Sequence, residues 1–328
     1  MQRIARTYSR LAALLVMAVA GIVAARAQVD AQLTQYWNVP GYYNPSAIGN
    51  IDFIHINGGS RLQWVGIKHA PMSFIAMADM PFKFMGRRWG TGVVLQQENV
   101  GLFSSIHAGA QLAWKKKMLG GELSVGVQAG IINQTFHGDD IIIPEGDEAH
   151  SSNDDAIPQS VVTGTAMDLN AGVSFTHKWF WAGISSTHVN SPTVSLKMEN
   201  DEEKIYEFDA GRLYYFMAGS NIPIKNTLFE LQPSVMFKTD FKFYQAEATA
   251  RVRYNKFLSG GIAYRHKDAV AVLLGANYKN FFISYSYDYP ISEIRKASSG
   301  SHELFVGYNL KLEMGEKNKN KHKSIRIM

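Results

Sequence analysis

Residues 245–254, QAEATARVRY, alternate without a break. Gln245, Glu247, Thr249, Arg251 and Arg253 take one set of positions; Ala246, Ala248, Ala250, Val252 and Tyr254 take the other. A strict two-residue period puts the two sets on opposite faces of a β-strand, one polar and one apolar. The pattern returns in 121–131, where Leu123, Val125, Val127, Ala129 and Ile131 alternate with Glu122, Ser124, Gly126, Gln128 and Gly130. It returns again in 167–176, 281–288 and 302–312. Helical periodicity is essentially confined to the first residues, so the chain reads as all-β.

Runs bounded by turn residues place strands near 51–64, 73–81, 90–98, 103–114, 120–136, 166–176, 179–187, 212–220, 227–237, 241–254, 256–265, 268–278, 281–288 and 301–312, fourteen in all. An even number of strands, many of about 9–11 residues, is what a membrane-crossing barrel uses. The connections sort by parity. One side receives 82–89, 115–119, 177–178, 221–226, 255 and 279–280; the other receives the long 137–165, 188–211 and 289–300. A soluble sandwich gives no reason for such sorting, whereas outer-membrane barrels pair short periplasmic turns with longer outer loops. Charge sorts the same way. The loop 137–165 holds Asp139, Asp140, Glu145, Asp147, Glu148, Asp154 and Asp155 with no Lys or Arg, while the short side carries Lys83, Arg87, Arg88, Lys115, Lys116, Lys117, Lys178, Lys225 and Lys279.

Backbone polar groups in hydrocarbon must be paired internally, so a sheet that crosses a bilayer has to close. The expected fold is therefore a closed antiparallel transmembrane β-barrel of about 14 strands over residues 51–313, with alanines and valines toward outer-membrane lipid. Glu247, Arg251 and Arg253 then face the lumen, since an arginine turned to lipid at the midplane costs about 2–4 kcal/mol. Trp64, Trp89, Trp114, Trp179, Trp181, Tyr254 and Tyr278 fit interfacial girdles.

The ends of the chain have other compositions. Arg3, Arg6 and Arg10 precede the apolar run Leu11–Ala25, and Ala25-Arg26-Ala27 supplies a small-residue site, so 1–27 reads as a secretory signal peptide. The formal charge of +5 falls to about +1 without that leader. The segment 314–328 is a basic tail with Lys317, Lys319, Lys321, Lys323 and Arg326. The remaining body is slightly acidic, which argues against a nucleic-acid partner. With no cysteine, disulfides and thiolate chemistry are excluded.

Candidate chemistry is sparse. His137, Asp139, Asp140, His150, Asp154 and Asp155 lack the spacing of a metal motif and read as a solvated loop. Ser301-His302-Glu303 looks like part of a hydrolase, but on a strand His302 points away from both neighbours and cannot activate either. No nucleophile elbow, zinc helix or phosphate loop is present, so no catalytic, metal or cofactor site is assigned. Asn44-Pro45 is a turn signal, and the segment 28–50 is placed in the lumen as a plug on the periplasmic side of the first strand.

Five words follow one another along the chain: QVDAQLTQYWNVPGYYNPSAIG, with Gln32, Gln35, Tyr36, Tyr43, Asn44, Pro45 and Gly49; LQWVGIKHAP, with Gln63, Trp64, Val65, Gly66, Ala70 and Pro71; GGIAYRH, with Tyr264 and Arg265; ISYSYD, from Ser284 to Asp288; and SHELFVGY, with Ser301, His302 and Glu303. In this order they resemble the PorP/SprF family of Bacteroidetes outer-membrane proteins. Ala31 stands where the family usually has proline, and the lysine-rich tail runs past the last strand. The resemblance implies a barrel of the fatty-acid-transporter type with no enzymatic activity. It also implies a role in type IX secretion and gliding. The implied partners are the periplasmic ring, its peptidoglycan-binding lipoprotein and C-terminal domains of secreted cargo. The charge pattern adds Lys115, Lys116, Lys117 and the tail lysines, with Arg326, as docking candidates for acidic partners. The competing class is a porin or fatty-acid-type transporter.

Overall fold

The computed structural model describes residues 30–141, 158–198 and 201–312. The leader, the acids of 142–157, His150 and the basic tail with Lys317, Lys319, Lys321, Lys323 and Arg326 lie outside the described residues.

Seventeen strands are formed: β1 (Phe53–Leu62), β2 (Met72–Phe84), β3 (Arg87–Val100), β4 (Phe103–Met118), β5 (Gly121–His137), β6 (Val161–Thr176), β7 (Phe180–Thr187), β8 (Thr193–Met198), β9 (Asp201–Asp209), β10 (Leu213–Ser220), β11 (Ile222–Pro223), β12 (Phe229–Thr239), β13 (Tyr244–Tyr254), β14 (Leu258–Arg265), β15 (Ala269–Tyr278), β16 (Phe281–Pro290) and β17 (Ser301–Lys311). β1–β7, β10 and β12–β17 pair antiparallel in chain order. β17 then returns to β1, with Leu62 opposite His302 and Phe53 opposite Lys311. Fourteen strands close on themselves, so every ladder has a neighbour on both sides.

The alternation sets the two faces. Ile262 and Leu274 are 61% and 62% exposed, whereas Arg61 and Glu303, on the opposite parity, are 2% and 1%. An apolar exterior and a buried polar interior invert the soluble arrangement and suit a hydrocarbon surround. Aromatic side chains ring the short-turn end: Trp89 lies opposite Trp114 across β3 and β4, and Phe82 and Phe84 pack on Trp89. Two ladder details have local causes. Proline has no N–H to donate, and the β10–β12 ladder stops at Gly219 opposite Ser234 beside Pro233, resuming at Ile222 opposite Leu231. The register of β4 and β5 runs unbroken from Phe103 opposite Phe136 to Met118 opposite Gly121.

Two expectations need correction. The connection 188–211 is no open loop: it contains the β8–β9 hairpin, which touches the barrel at Thr163 opposite Lys197. Val194 and Leu196 on that hairpin pack against Ile132 and Val162, and this apolar cluster is what holds the hairpin over the loop end of the wall. Trp181 is not a girdle residue. β7 puts it on the inward parity, where it packs against the interior apolar cluster.

Candidate functional site

Residues 30–50 lie inside the ring of strands. The segment enters the loop-end half of the lumen at Asp30 and leaves at the short-turn end by Asn50, before β1 begins. It folds on itself through a 3-10 turn at Tyr36–Asn38, a single α-turn at Pro40–Tyr43 and a second 3-10 turn at Pro45–Ala47. Proline opens the last two because its missing N–H would be unbonded at a helix start. Asn44 caps the last turn: its Oδ1 accepts from the Ser46 amide at 3.0 Å and the Ser46 hydroxyl at 2.7 Å. Tyr43 accepts from the Leu33 amide at 3.1 Å, and Tyr42 accepts from the Ala31 amide at 3.1 Å, tying the two arms together. Leu33, Tyr36, Val39, Tyr43 and Ile48 are buried and form an apolar core with Ile75, Met77 and Met217 of the wall.

The wall is shaped for this segment. A Cβ at Gly126 would sit 2.3 Å from the Ser46 amide nitrogen, and one at Gly172 would sit 2.2 Å from Asn44 Oδ1. Only glycine lets the backbone approach that closely. The polar set of β5 read from the alternation, Glu122, Ser124, Gly126, Gln128 and Gly130, is therefore also the set that faces the inner segment.

Four of the five family words meet at one buried cluster in the loop-end half. Glu303 accepts from the Gln35 amide at 2.7 Å and the Thr34 amide at 2.9 Å. Arg61 donates to Glu303 at 3.0 Å and to Asp288 at 2.8 Å. Arg265 donates to Glu247 at 2.7 Å and to Thr34 Oγ1 at 2.7 Å, and its Nη1 reaches Asp288 at 3.3 Å. The Thr34 hydroxyl donates to Asp288 at 2.6 Å. Charges taken from water in this way are tolerated only when they are paired and hydrogen-bonded. Removing one member leaves the others stranded, which typically costs about 3–5 kcal/mol.

A second anchor holds the start of the segment. Asp30 accepts from Thr187 and Tyr215, each at 2.7 Å, and lies 3.2 Å from His188 Nε2. The other nitrogen of His188 lies 2.8 Å from Asp168. At the far end, the Gly49 amide donates to Asp79 at 2.7 Å, and Lys115 donates to Asn50.

The remaining sequence candidates fall in several places. Gln63, Trp64, Gly66, Ala70 and Pro71 form the first turn at the loop end, closed by the Gln63 amide donating to the Pro71 carbonyl at 2.9 Å. This turn is clasped to the turn before β17: the Val65 amide donates to Gly300 at 2.8 Å and the Trp64 amide to Ser301 Oγ at 3.1 Å. Tyr264 faces outward, 47% exposed, next to inward Arg265. His302 also faces outward, with Tyr285 at 2.6 Å, while Ser301 and Glu303 face in. Lys116 and Lys117 are exposed at the short-turn end. Lys115 is not a surface docking residue: it faces the lumen, buried, and donates to Ser124 at 2.8 Å besides Asn50. A run of three lysines hides the parity that turns Lys116 away from Lys115; Lys117 shares the parity of Lys115 and is exposed because it lies at the rim. His137, Asp139 and Asp140 bring possible ligand atoms within 4.8 Å, with both aspartates exposed.

Asp30, Thr34, Arg61, Asp168 and His188 were not singled out from sequence. All but His188 and the two segment residues are charged groups on the inward parity of a spanning strand, and that placement was the signal available.

The short-turn half of the lumen is different. It keeps a cavity of about 230 Å³ bounded by Trp37, Asn57, Trp181, Arg251, Asn277 and Phe282, among others. A wider cleft of about 1050 Å³ lies at the rim beside Lys117, Lys178, Trp179 and Lys256. The two share Thr176, Trp181, Asn221 and Arg253 in their linings, so they adjoin.

A closed, apolar-coated barrel with a self-folded segment bonded inside it defines a class: an outer-membrane β-barrel protein with an occupied lumen. The profile of a family described as "Type IX secretion system membrane protein PorP/SprF" matches residues 25–308, and the chain belongs to that family. No curated protein sequence matches it. Among solved structures it is similar to the Pseudomonas putida toluene transporter TodX, at 9% identity over 83% of this chain and 93% of that one, with a TM-score of 0.48. It is also similar to a Pseudomonas aeruginosa FadL homologue, at 9% identity over 82% and 93%, TM-score 0.47. The Acinetobacter baumannii outer membrane protein Omp33 gives 6% identity over 80% and 100%, TM-score 0.44. In an outer-membrane barrel the short-turn end faces the periplasm.

Proposed function

We propose that this protein is a non-enzymatic subunit of the type IX secretion machinery that holds partner proteins at the periplasmic face of the outer membrane. Its inner segment is a plug that keeps the barrel from conducting. The observation that carries the reading is the convergence of the family words on the cluster of Thr34, Gln35, Arg61, Arg265, Asp288 and Glu303. Those residues hold a segment in place; they do not line a route. The partners are the periplasmic ring proteins, the peptidoglycan-binding lipoprotein and C-terminal domains of secreted cargo, met at the rim by Lys116, Lys117 and the basic tail.

A transporter needs an apolar site that joins the lumen to a lateral opening. The apolar recess beside Pro233, lined by Ala218, Val235, Ala248 and Ile262, opens on the lipid face and shares no lining residue with the lumenal cavity. The test is a pull-down from envelope extracts at low and raised salt, with mass spectrometry of what is retained. Recovery of secretion components, weakened by salt, supports the adaptor; a clean barrel that swells liposomes would instead make it a channel.

A further inference from the structure

Arg251 is an arginine with its hydrogen-bonding capacity unspent. It sits on the inward parity of β13 and lines the periplasmic cavity. Its guanidinium lies over the Trp37 indole, with Cζ 3.8 Å from the ring centre. Among the described residues it has no ion pair and no hydrogen bond, and its Nε is buried without a partner. Glu230, on the adjacent strand β12, is taken: it accepts from Arg253 at 2.9 and 2.7 Å and from Gln232 at 3.1 Å. Gly261 on the adjacent strand makes room for the stem of Arg251, since a Cβ there would lie 2.8 Å from Arg251 Cγ. The platform beneath it is fixed as well. Trp37 packs on Ala263, Ala271 and Leu273 and meets Tyr36 edge-on with ring centres 5.2 Å apart.

A guanidinium held on an aromatic plane keeps its donor edge free, and that edge matches a carboxylate with two parallel hydrogen bonds. The surrounding groups suit a peptide. Asn57, Asn221, Asn277 and Gln232 offer amide donors and acceptors, and Trp181 and Phe282 offer apolar walls. Lys117, Lys178 and Lys256 stand at the entrance, exposed and, among the described residues, without ion pairs. Such a gradient of positive charge draws an anion inward. The chain's own tail, 314–328, carries the same sign as this entrance and is a poor occupant.

We propose that the periplasmic half of the lumen is a binding site for an extended, carboxylate-bearing peptide segment of a partner protein, with Arg251 on Trp37 as its anion-recognising group. The inference rests on the adaptor reading and gives its partner a chemistry. No bond is made or broken.

The test uses the full-length protein, purified in detergent and immobilised, and a pool of random heptapeptides made in two forms. One form has aspartate at a fixed central position and a free C-terminus; the other has asparagine there and an amidated C-terminus. Retained peptides are read by mass spectrometry for the wild type, Arg251→Gln, Arg251→Lys and a triple rim variant, Lys117→Gln/Lys178→Gln/Lys256→Gln. Folding of each variant is checked by the mobility of unheated protein on gels. We expect at least tenfold enrichment of the acidic pool on the wild type, lost in R251Q and partly kept in R251K. The rim variant should slow capture and leave the equilibrium preference. Equal retention of both pools, or acid preference unchanged in folded R251Q, overturns the proposal. So does displacement of the acidic peptides by inorganic phosphate beyond the effect of chloride at matched ionic strength, which would mark a phosphate site. If the peptide result fails while wild-type protein still retrieves envelope partners, only this inference falls. If no partner is retrieved at all, the adaptor reading falls with it.

Discussion

The two halves of the lumen are built from the same alternation and end in opposite states. In the loop-end half most inward charges are used up: Arg61, Arg265, Asp288 and Glu303 are bonded to one another and to Thr34 and Gln35, while Lys238 Nζ is buried there without a hydrogen-bond partner among the described residues. In the periplasmic half a cavity remains, and Arg251 faces it over Trp37 with no hydrogen-bond or ion-pair partner among the described residues. The inner segment accounts for the difference. Its peptide amides reach the upper carboxylates, and its aromatic side chains fill the middle. Below that, the chain runs along one wall through Gly49 and Asn50, leaving the other wall bare. A barrel that only needed to be blocked could be packed from end to end. One packed half and one open half is the division that the proposed seal and the proposed partner site would require.

The largest difference between the halves is expected at the upper cluster. Arg61→Ala strands Glu303 without its cation and leaves Asp288 with Arg265 alone, and should cost about 3–5 kcal/mol. The expected result is a large fall in the denaturation midpoint of unheated protein and a poor yield of folded barrel. Arg251→Ala, a buried-face arginine of the other half, should fold and melt close to wild type. If the two variants melt alike, the halves are not energetically distinct.

A smaller but cleaner effect comes from the wall. Gly126→Val drives a side chain into the Ser46 amide, where even a Cβ is 2.3 Å away. It should leave the barrel ladders intact and dislodge the segment, raising solute entry in liposome swelling. Removing residues 30–50 should raise it further. Swelling no greater than wild type in both cases would separate the segment from any sealing role. Smaller again is the electrostatic term at the rim. Neutralising Lys116 and Lys117 and deleting 316–328 should weaken retention of envelope partners at low salt and change little at high salt, where exposed charges are screened. Lys115→Gln belongs to another category, since it loosens Asn50 and Ser124 and should act on stability. The smallest expected change is at the girdle: Trp89→Leu loses its contacts with Phe82 and Phe84 and should shift stability by about 0.5–1.5 kcal/mol without affecting permeability or partners.

Strand number, parity and the closed architecture were legible because a bilayer permits few alternatives. An alternating strand such as 245–254 can satisfy its backbone and hide Glu247, Arg251 and Arg253 only in a closed ring. The placement of 28–50 in the lumen was expected from Asn44-Pro45 and its position before the first strand. What it touches was not legible. Contacts between Gln35 and Glu303, or Asp30 and His188, span most of the chain, and no local pattern encodes them. The β8–β9 hairpin was missed because its acids suggested an open loop, although Val194 and Leu196 carry a two-residue period. Trp181 was misplaced because an aromatic near a strand end was read without its parity. Lys115 was grouped with Lys116 and Lys117 by composition, when Lys116 faces the opposite way and Lys117, on the same face, lies at the exposed rim. Arg251 could be placed inward from sequence, but its freedom is a property of where Trp37 and Glu230 come to rest.

The position of residues 30–50 decides most, and the cysteine-free chain offers a direct measurement of it. The hydroxyls of Ser46 and Ser174 are 2.8 Å apart across the boundary between segment and wall. In S46C/S174C, oxidised in intact cells, we expect an intramolecular disulfide, seen as a reductant-sensitive mobility shift on gels, in a barrel that stays folded and sealed. Ser46→Cys combined with Ser220→Cys, which faces outward, should give none. A thiol at position 46 that stays reduced with position 174, or is open to a water-soluble maleimide throughout, would place the segment outside the lumen and contradict the account.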